Sequence, residues 1–205
     1  MVYLIEYNSS DRMQDRETEH RLGRELLQFA MERNYGSVYE VVRKRDAKPF
    51  LTGIQGIDFS ITHTKGLVAC GIGDRKIGVD AEYIRPFDER LMGRICTKEE
   101  IIYITGENDS IETREEKFFR LWTLKESFLK ATGQGLSFPM REVSFSARTL
   151  EKQMAGIRGN IPGWSYNQFW YGDRFIVTIC EEQKEEYGGN HVRRIERNHK
   201  PVCGC

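Results

Sequence analysis

The sequence predicts an α+β fold in which two similar halves pack as one body. Three observations carry this reading. "DFSITHT" followed by "GLVACGIG", and later "YNQFWYGDRFIVTIC", each read as two β-rich runs around a turn, at Lys65-Gly66 and at Gly172-Asp173. Residues 16–33 and 113–132 place apolar side chains at helical spacing. No Pro/Gly/Ser-rich linker separates the first helix and hairpin from the second, so both sets belong to a single unit. That repetition is the pattern of an internal duplication, although the two halves share little residue identity.

Taken in order, Val2 to Tyr7 alternates as a strand does. Leu22, Leu26, Phe29 and Ala30 then mark a helix face, and Gly36 lies just past its end. The hairpin around Lys65-Gly66 leads into "IGVDAE", residues 77–82, a further strand. Thr97-Lys98-Glu99-Glu100 has the form of a capping box, with Thr97 as N-cap and Glu100 reaching back; the helix it opens runs to about Thr105 and stops at Gly106. A polar stretch, "ENDSIETREE", leads to the long helix of "FFRLWTLKESFLKATG". Gly133 and Gly135 read as a helix stop and a tight turn, because no strand precedes them to make a nucleotide-binding glycine loop. The single unit is expected to span 1–185, its halves about 1–75 and 76–185. Residues 186–205 differ in composition and are expected to form a flexible basic tail. Its His191, His199, Cys203 and Cys205 match no standard zinc spacing.

The chain has 205 residues, enough for a real core, and its 31 Lys and Arg balance 31 Asp and Glu. A net charge of zero argues against a nucleic-acid partner, and no apolar run is long enough to span a bilayer. The N-terminus "MVYLIEYNSSDRM" reads as a strand rather than a leader peptide. Five cysteines, none at metal-ligand spacing, are the usage of a reduced cytoplasmic protein.

The chemistry is concentrated in "IGVDAE". Side chains at i and i+2 of a strand share a face, so Ile77, Val79 and Ala81 can meet a core while Asp80 and Glu82 stand together on the other side. Alone, that pattern is also that of a solvated acidic strand. The long helix supplies a third carboxylate. Phe118, Leu121, Leu124, Phe128 and Leu129 form its apolar stripe, while Phe119, Trp122, Glu126 and Lys130 form a second stripe. A mid-helix carboxylate beside a Trp needs a partner if it is buried. A Mg²⁺ ion shared by Asp80, Glu82 and Glu126 would be one, with Lys130 one turn away to neutralise substrate phosphates. This points to Mg-dependent phosphoryl-type transfer.

"IGVDAE" followed by "LWTLKESFLKATGQGL" resembles the signature of the 4′-phosphopantetheinyl transferases, and more narrowly that of the surfactin-synthetase-activating (Sfp-like) subgroup. "AKPFL" resembles the subgroup's Gly-Lys-Pro segment, "FSITHT" its Asn-Ile-Ser-His-Ser segment, and "CTKEE" its Phe-Ser-x-x-Glu element. The likeness runs colinearly from about Arg16 to Cys180. It departs where Ile95 and Cys96 replace an aromatic pair, and the N-terminal half is shorter than usual in the family.

The resemblance implies two pseudo-twofold-related halves with coenzyme A in the cleft between them, acting as a monomer. It implies transfer of 4′-phosphopantetheine from coenzyme A to a serine of an apo acyl or peptidyl carrier protein, releasing adenosine 3′,5′-bisphosphate. By position, Asp80, Glu82 and Glu126 match the Mg²⁺ ligands and Lys130 the phosphate-contacting lysine. Glu126 would take the serine proton, directly or through a metal-bound water. Lys48 and Pro49 match a segment at the adenine and phosphate end of the coenzyme, Thr62 and His63 a pair at its 3′-phosphate, and Arg16 and Arg21 basic residues for the same phosphate. A non-catalytic coenzyme A- or carrier-binding protein of the same fold is the competing reading; it predicts loss of a metal carboxylate or of Lys130, and all four are present. A three-carboxylate nuclease or phosphatase would call for basic grooves, which the neutral charge does not favour. The carrier is expected to dock from Tyr83 through the helix at 98–105 to the start of the long helix, since Ile101, Ile102 and Ile104 exceed what one small helix face can bury.

Overall fold

The computed structural model describes residues 1–10, 12–36, 38–45, 47–106 and 112–183. The basic stretch from 186 onward, with His191, His199, Cys203 and Cys205, lies outside the described residues. The elements run β1 (Val2–Glu6), α1 (Arg12–Asn34), β2 (Glu40–Val42), β3 (Phe50–Thr52), β4 (Asp58–Thr64), β5 (Leu67–Gly73), β6 (Ile77–Tyr83), α2 (Glu89–Ile95), α3 (Lys98–Thr105), α4 (Arg114–Thr132), α5 (Ala147–Lys152), β7 (Trp164–Tyr171) and β8 (Phe175–Glu182). Among the described residues no helix is long and apolar enough to cross a membrane.

Two antiparallel three-stranded sheets follow one plan. In the order β1-β5-β4 a lone strand pairs with the second strand of a hairpin, and in the order β6-β8-β7 another lone strand does the same. Alternation along each strand then sorts the side chains into layers. Phe59, Val68, Cys70 and Ile72 face α1 and pack on Leu22, Leu26, Leu27, Ala30 and Met31. Leu67 and Ala69 of the first sheet meet Ile77, Val79, Ala81, Phe175 and Val177 of the second. Tyr166, Ile176 and Cys180 turn away from that seam and join the core of α2, α3 and α4. The layers are therefore helix, sheet, sheet, helix.

The helix boundaries expected at Thr97, Gly106 and Gly133 hold, with different chemistry at the two kinds of end. Thr97 and Thr113 both close capping boxes, with Glu100 and Glu116 reaching back. Gly133 ends α4 at φ +73°, where a side chain would be strained. α1 begins earlier than the apolar periodicity indicates, because its first turns are polar and solvated. Phe29 is not a core residue: it is 45% exposed and meets Tyr3 edge-on with ring centroids 5.5 Å apart. The β2–β3 pair, α2 and α5 carry too few residues to show a period.

What seats the long helix on the second sheet is a close approach of α4 to β6. A Cβ built on Gly78 would lie 1.8 Å from Ser127 O and 2.5 Å from Ala131 N, so only glycine lets the helix backbone rest on the strand. Gly78→Ala should therefore lower stability by about 1–3 kcal/mol through overpacking. Gly93→Ala in α2, where a Cβ meets nothing within 4 Å, should be neutral or stabilising. Urea denaturation of the two variants checks the contrast, and equal stabilities would contradict it.

Candidate active site

The site is built where the edge strands β4 and β6 run side by side. Every second residue of β4 (Asp58, Ser60, Thr62 and Thr64) turns toward β6. Asp58 Oδ2 accepts from Ile77 N at 2.8 Å, Ser60 Oγ from Val79 N at 3.0 Å, and Thr64 Oγ1 from Tyr83 N at 3.1 Å. Thr62 donates instead to the Asp80 carboxylate, Oγ1 to Oδ1 at 3.1 Å. The residues that join the halves are thus the neighbours of the acidic pair. The polar alternation of "DFSITHT" was the available signal for Asp58, Ser60 and Thr64; only Thr62 and His63 are singled out from sequence.

Asp80 is not on an open acidic face. It is 5% exposed, roofed by α4, and Lys130 Nζ lies 2.6 Å from its Oδ1 and 2.8 Å from Thr62 Oγ1. A charge-assisted bond of this kind is worth about 1.5–3 kcal/mol. Its second oxygen, Oδ2, is buried and accepts no hydrogen bond. Glu82 is held by Arg85 at 2.7 Å and by Thr64 Oγ1 at 3.4 Å. Burial, then the charge of Asp80, pushes the Glu82 carboxyl above its ordinary range. Glu126 is pushed up to about 7, first by burial and then by Asp80, with Lys130 opposing and Glu82 adding.

The donor chemistry fits a hard divalent cation. A buried carboxylate oxygen without a hydrogen-bond partner is costly, and its neighbours Glu82 and Glu126 are carboxylates raised first by burial and then by the charge of Asp80. As the side chains lie, the ammonium of Lys130 rather than a third carboxylate is against Asp80, and no three His, Cys, Asp or Glu among the described residues stand close enough to hold an ion. Coordination by all three carboxylates therefore requires the Glu82 and Glu126 side chains to turn toward Asp80.

The remaining predicted residues divide. Thr62 and His63 point to opposite faces of β4: Thr62 into the carboxylate cluster, His63 toward α1. There His63 and Arg16 line one cleft of about 440 Å³. Arg21 lies on an exposed face of α1 and pairs with Glu25 at 2.9 Å. The Lys48 ammonium is tied to Asp58 and to Ile77 O, so it buttresses the β4–β6 seam, and burial lowers its pKa despite Asp58. Pro49 is half-buried beside it.

A family model described as the 4′-phosphopantetheinyl transferase superfamily matches residues 76–180. The chain belongs to this superfamily. The matched stretch holds Asp80, Glu82, Glu126 and Lys130, whereas Arg16, Lys48, Thr62 and His63 precede it. Among its relatives is the 4′-phosphopantetheinyl transferase psf-1 of Bacillus pumilus, 30% identical over 140 residues, which are 67% of this chain and 58% of that protein. The 4′-phosphopantetheinyl transferase Sfp of Bacillus subtilis (strain 168) is 30% identical over 142 residues, 67% of this chain and 62% of its own. A putative 4′-phosphopantetheinyl transferase of Haemophilus influenzae is 32% identical over 162 residues, 71% of this chain and 66% of its own. The chain thus spans 58% and 62% of the lengths of the first two.

The electrostatics give a stability prediction for the metal-free protein. Glu126 titrates near 7 when folded and near 4.3 when unfolded, so its raised pKa costs nothing below about pH 4 and costs progressively more as pH rises through 7. Glu126→Gln should then be more stable than the parent at about pH 8, by on the order of 1–3 kcal/mol, with the gain vanishing toward about pH 4. Thermal melting across that range in chelator reads it. A variant less stable than the parent at alkaline pH would contradict the burial of charge.

Proposed function

We propose that the chain transfers 4′-phosphopantetheine from coenzyme A to a serine hydroxyl of an apo acyl or peptidyl carrier protein, as a cytoplasmic monomer. The observation that supports this best is the meeting of Asp80, Lys130 and Thr62 in one buried cluster, with Glu82 and Glu126 beside it, inside a stretch that matches the superfamily. The two halves, 1–75 and 76–185, take the coenzyme in the cleft along β4 and β6. Asp80, Glu82 and Glu126 would hold Mg²⁺, which when bound supplies charge neutralisation at the coenzyme's pyrophosphate.

The protein's own groups have separable tasks. Lys130, fixed by Asp80 and Thr62 yet 30% exposed at its side chain, offers its remaining N–H to a phosphate oxygen. Glu126, with a carboxyl that titrates near neutrality, accepts the serine proton as the serine oxygen bonds to phosphorus. The P–O bond to the nucleotide breaks, and adenosine 3′,5′-bisphosphate carries away the electron pair. His63 and Arg16 face the cleft in which the 3′-phosphate would lie, and Pro49 with Lys48 borders the adenine end.

The carrier docks beside β6, from Tyr83 across α2 and α3. Ile102 is 67% exposed while Ile104 is buried, so α3 presents one apolar side chain outward. In the same segment, Arg85, Phe87 and Leu91, with Phe119 and Trp122 of α4, line a groove of about 200 Å³ whose wall includes Glu82.

A mass-shift assay with a panel of apo carrier proteins, coenzyme A and Mg²⁺ tests the reading. The parent should add one phosphopantetheine to at least one carrier, and Glu126→Gln and Asp80→Asn, though folded, should lose nearly all transfer. Coenzyme binding without any mass shift would favour a non-catalytic binding protein. Ile102→Asp should raise the KM for the carrier several-fold and leave that for coenzyme A unchanged. Steady-state kinetics with each substrate varied reads the difference, and a joint shift of both constants would place the carrier elsewhere.

A further inference from the structure

The cleft beside His63 contains a carboxylate that the reaction does not use. Glu19, on the buried face of α1, places Oε2 at 2.9 Å from His63 Nδ1, and its other oxygen accepts from Tyr7 OH at 2.7 Å. The same hydroxyl lies 3.5 Å from Thr64 O. Tyr7 is pushed up to about 12 by burial and by Glu19, so it keeps its proton and remains the donor. Tyr7, Glu19 and His63 therefore form a chain with fixed polarity that ends at an imidazole 46% exposed to the cleft.

We propose that Glu19 is a positioning residue: it grips His63 by Nδ1, directs Nε2 into the cleft, and so makes the chain prefer coenzyme A over 3′-dephospho-coenzyme A. This rests on the coenzyme A reading above. With Nδ1–H given to Glu19, a neutral ring presents only a lone pair at Nε2, which repels a phosphate; the imidazolium presents an N–H. Whether the ring charges depends on its surroundings. In the ligand-free protein its pKa lies below the ordinary value: burial, with Lys130 on α4 and His20 on α1 (ring centroid 6.2 Å away), outweighs Glu19 and Asp80 on β6, so an arriving phosphate completes the charging that Glu19 favours. Asp15, Arg16 and Lys65 also line the cleft. Glu19 is the acid in contact with the ring; it lines the same cleft, but its side chain is only 10% exposed and its two oxygens are engaged by His63 and Tyr7. A carboxylate near an anion site would otherwise be a liability.

The test compares the parent with Glu19→Gln, which keeps an acceptor for Nδ1 but removes the charge, and with Tyr7→Phe. KM is measured for coenzyme A and for 3′-dephospho-coenzyme A between about pH 6 and 8. The ring titration of His63 is followed by NMR in the ligand-free protein, with His63→Asn for assignment. Glu19→Gln should raise the KM for coenzyme A about tenfold, that for the dephospho form less than about twofold, and lower the pKa of His63. Tyr7→Phe should show the same selectivity at about a third of the size. Equal losses for both donors, or an unmoved His63, would overturn the proposal. If the parent transfers from neither donor, the transferase reading fails. The proposal is then decided by the NMR titration and by calorimetric binding of adenosine 3′,5′-bisphosphate against adenosine 5′-phosphate, where equal affinities would overturn it. Should Glu19→Gln not fold, Tyr7→Phe carries the same decision.

Discussion

The strands β4 and β6 are edges of different sheets, and β6 leaves a row of backbone groups without a ladder partner on the side that faces β4. Buried amides in that position are costly unless something accepts them. Here side chains do so: Asp58, Ser60 and Thr64 take the amides of Ile77, Val79 and Tyr83 in step with the period of the strand. The seam protects the edge of β6 and fixes the register of one sheet against the other.

That register decides the chemistry. Shifting β4 by one residue would replace Thr62 beside Asp80 with Ile61 or His63, and would leave the amide of Val79 facing an apolar side chain. With the register set, Gly78 admits the backbone of α4, and the residues flanking the contact at Ser127 and Ala131 are Glu126 and Lys130. The charges are thus brought together by apolar packing and backbone satisfaction rather than by their own attraction. The electrostatic strain that results, seen in the raised carboxyls of Glu82 and Glu126, is sustained by the surrounding core.

Much of this was legible in sequence because it depends on strong local patterns. The hairpins follow from β-rich runs around Gly66 and Gly172, α3 from a capping box whose every member is visible in order, and α4 from its apolar stripe. Asp80 and Glu82 share a face because strand period is two, and Glu126 and Lys130 because helix period is near four. Other features depend on contacts between distant residues. The pairing of Glu19 with His63 needs α1 laid across β4, and neither residue signals it alone. Lys48 is matched from sequence to the adenine and phosphate end of the coenzyme, yet Asp58 claims its ammonium once the β4–β6 seam forms. α2 and α5 are too short to outvote their surroundings.

The superfamily match begins at residue 76, the start of the half that owns the carboxylates. The first half reaches the carboxylate cluster through the seam, which makes the seam the central claim. Native-state hydrogen exchange at single amides tests it most directly. The amides of Ile77, Val79 and Tyr83 should exchange as slowly as those in the interior strands β5 and β8, and Ser60→Ala should selectively accelerate Val79. Fast exchange of all three in the parent, at the rate of an open sheet edge, would show that the two halves are not joined in this way.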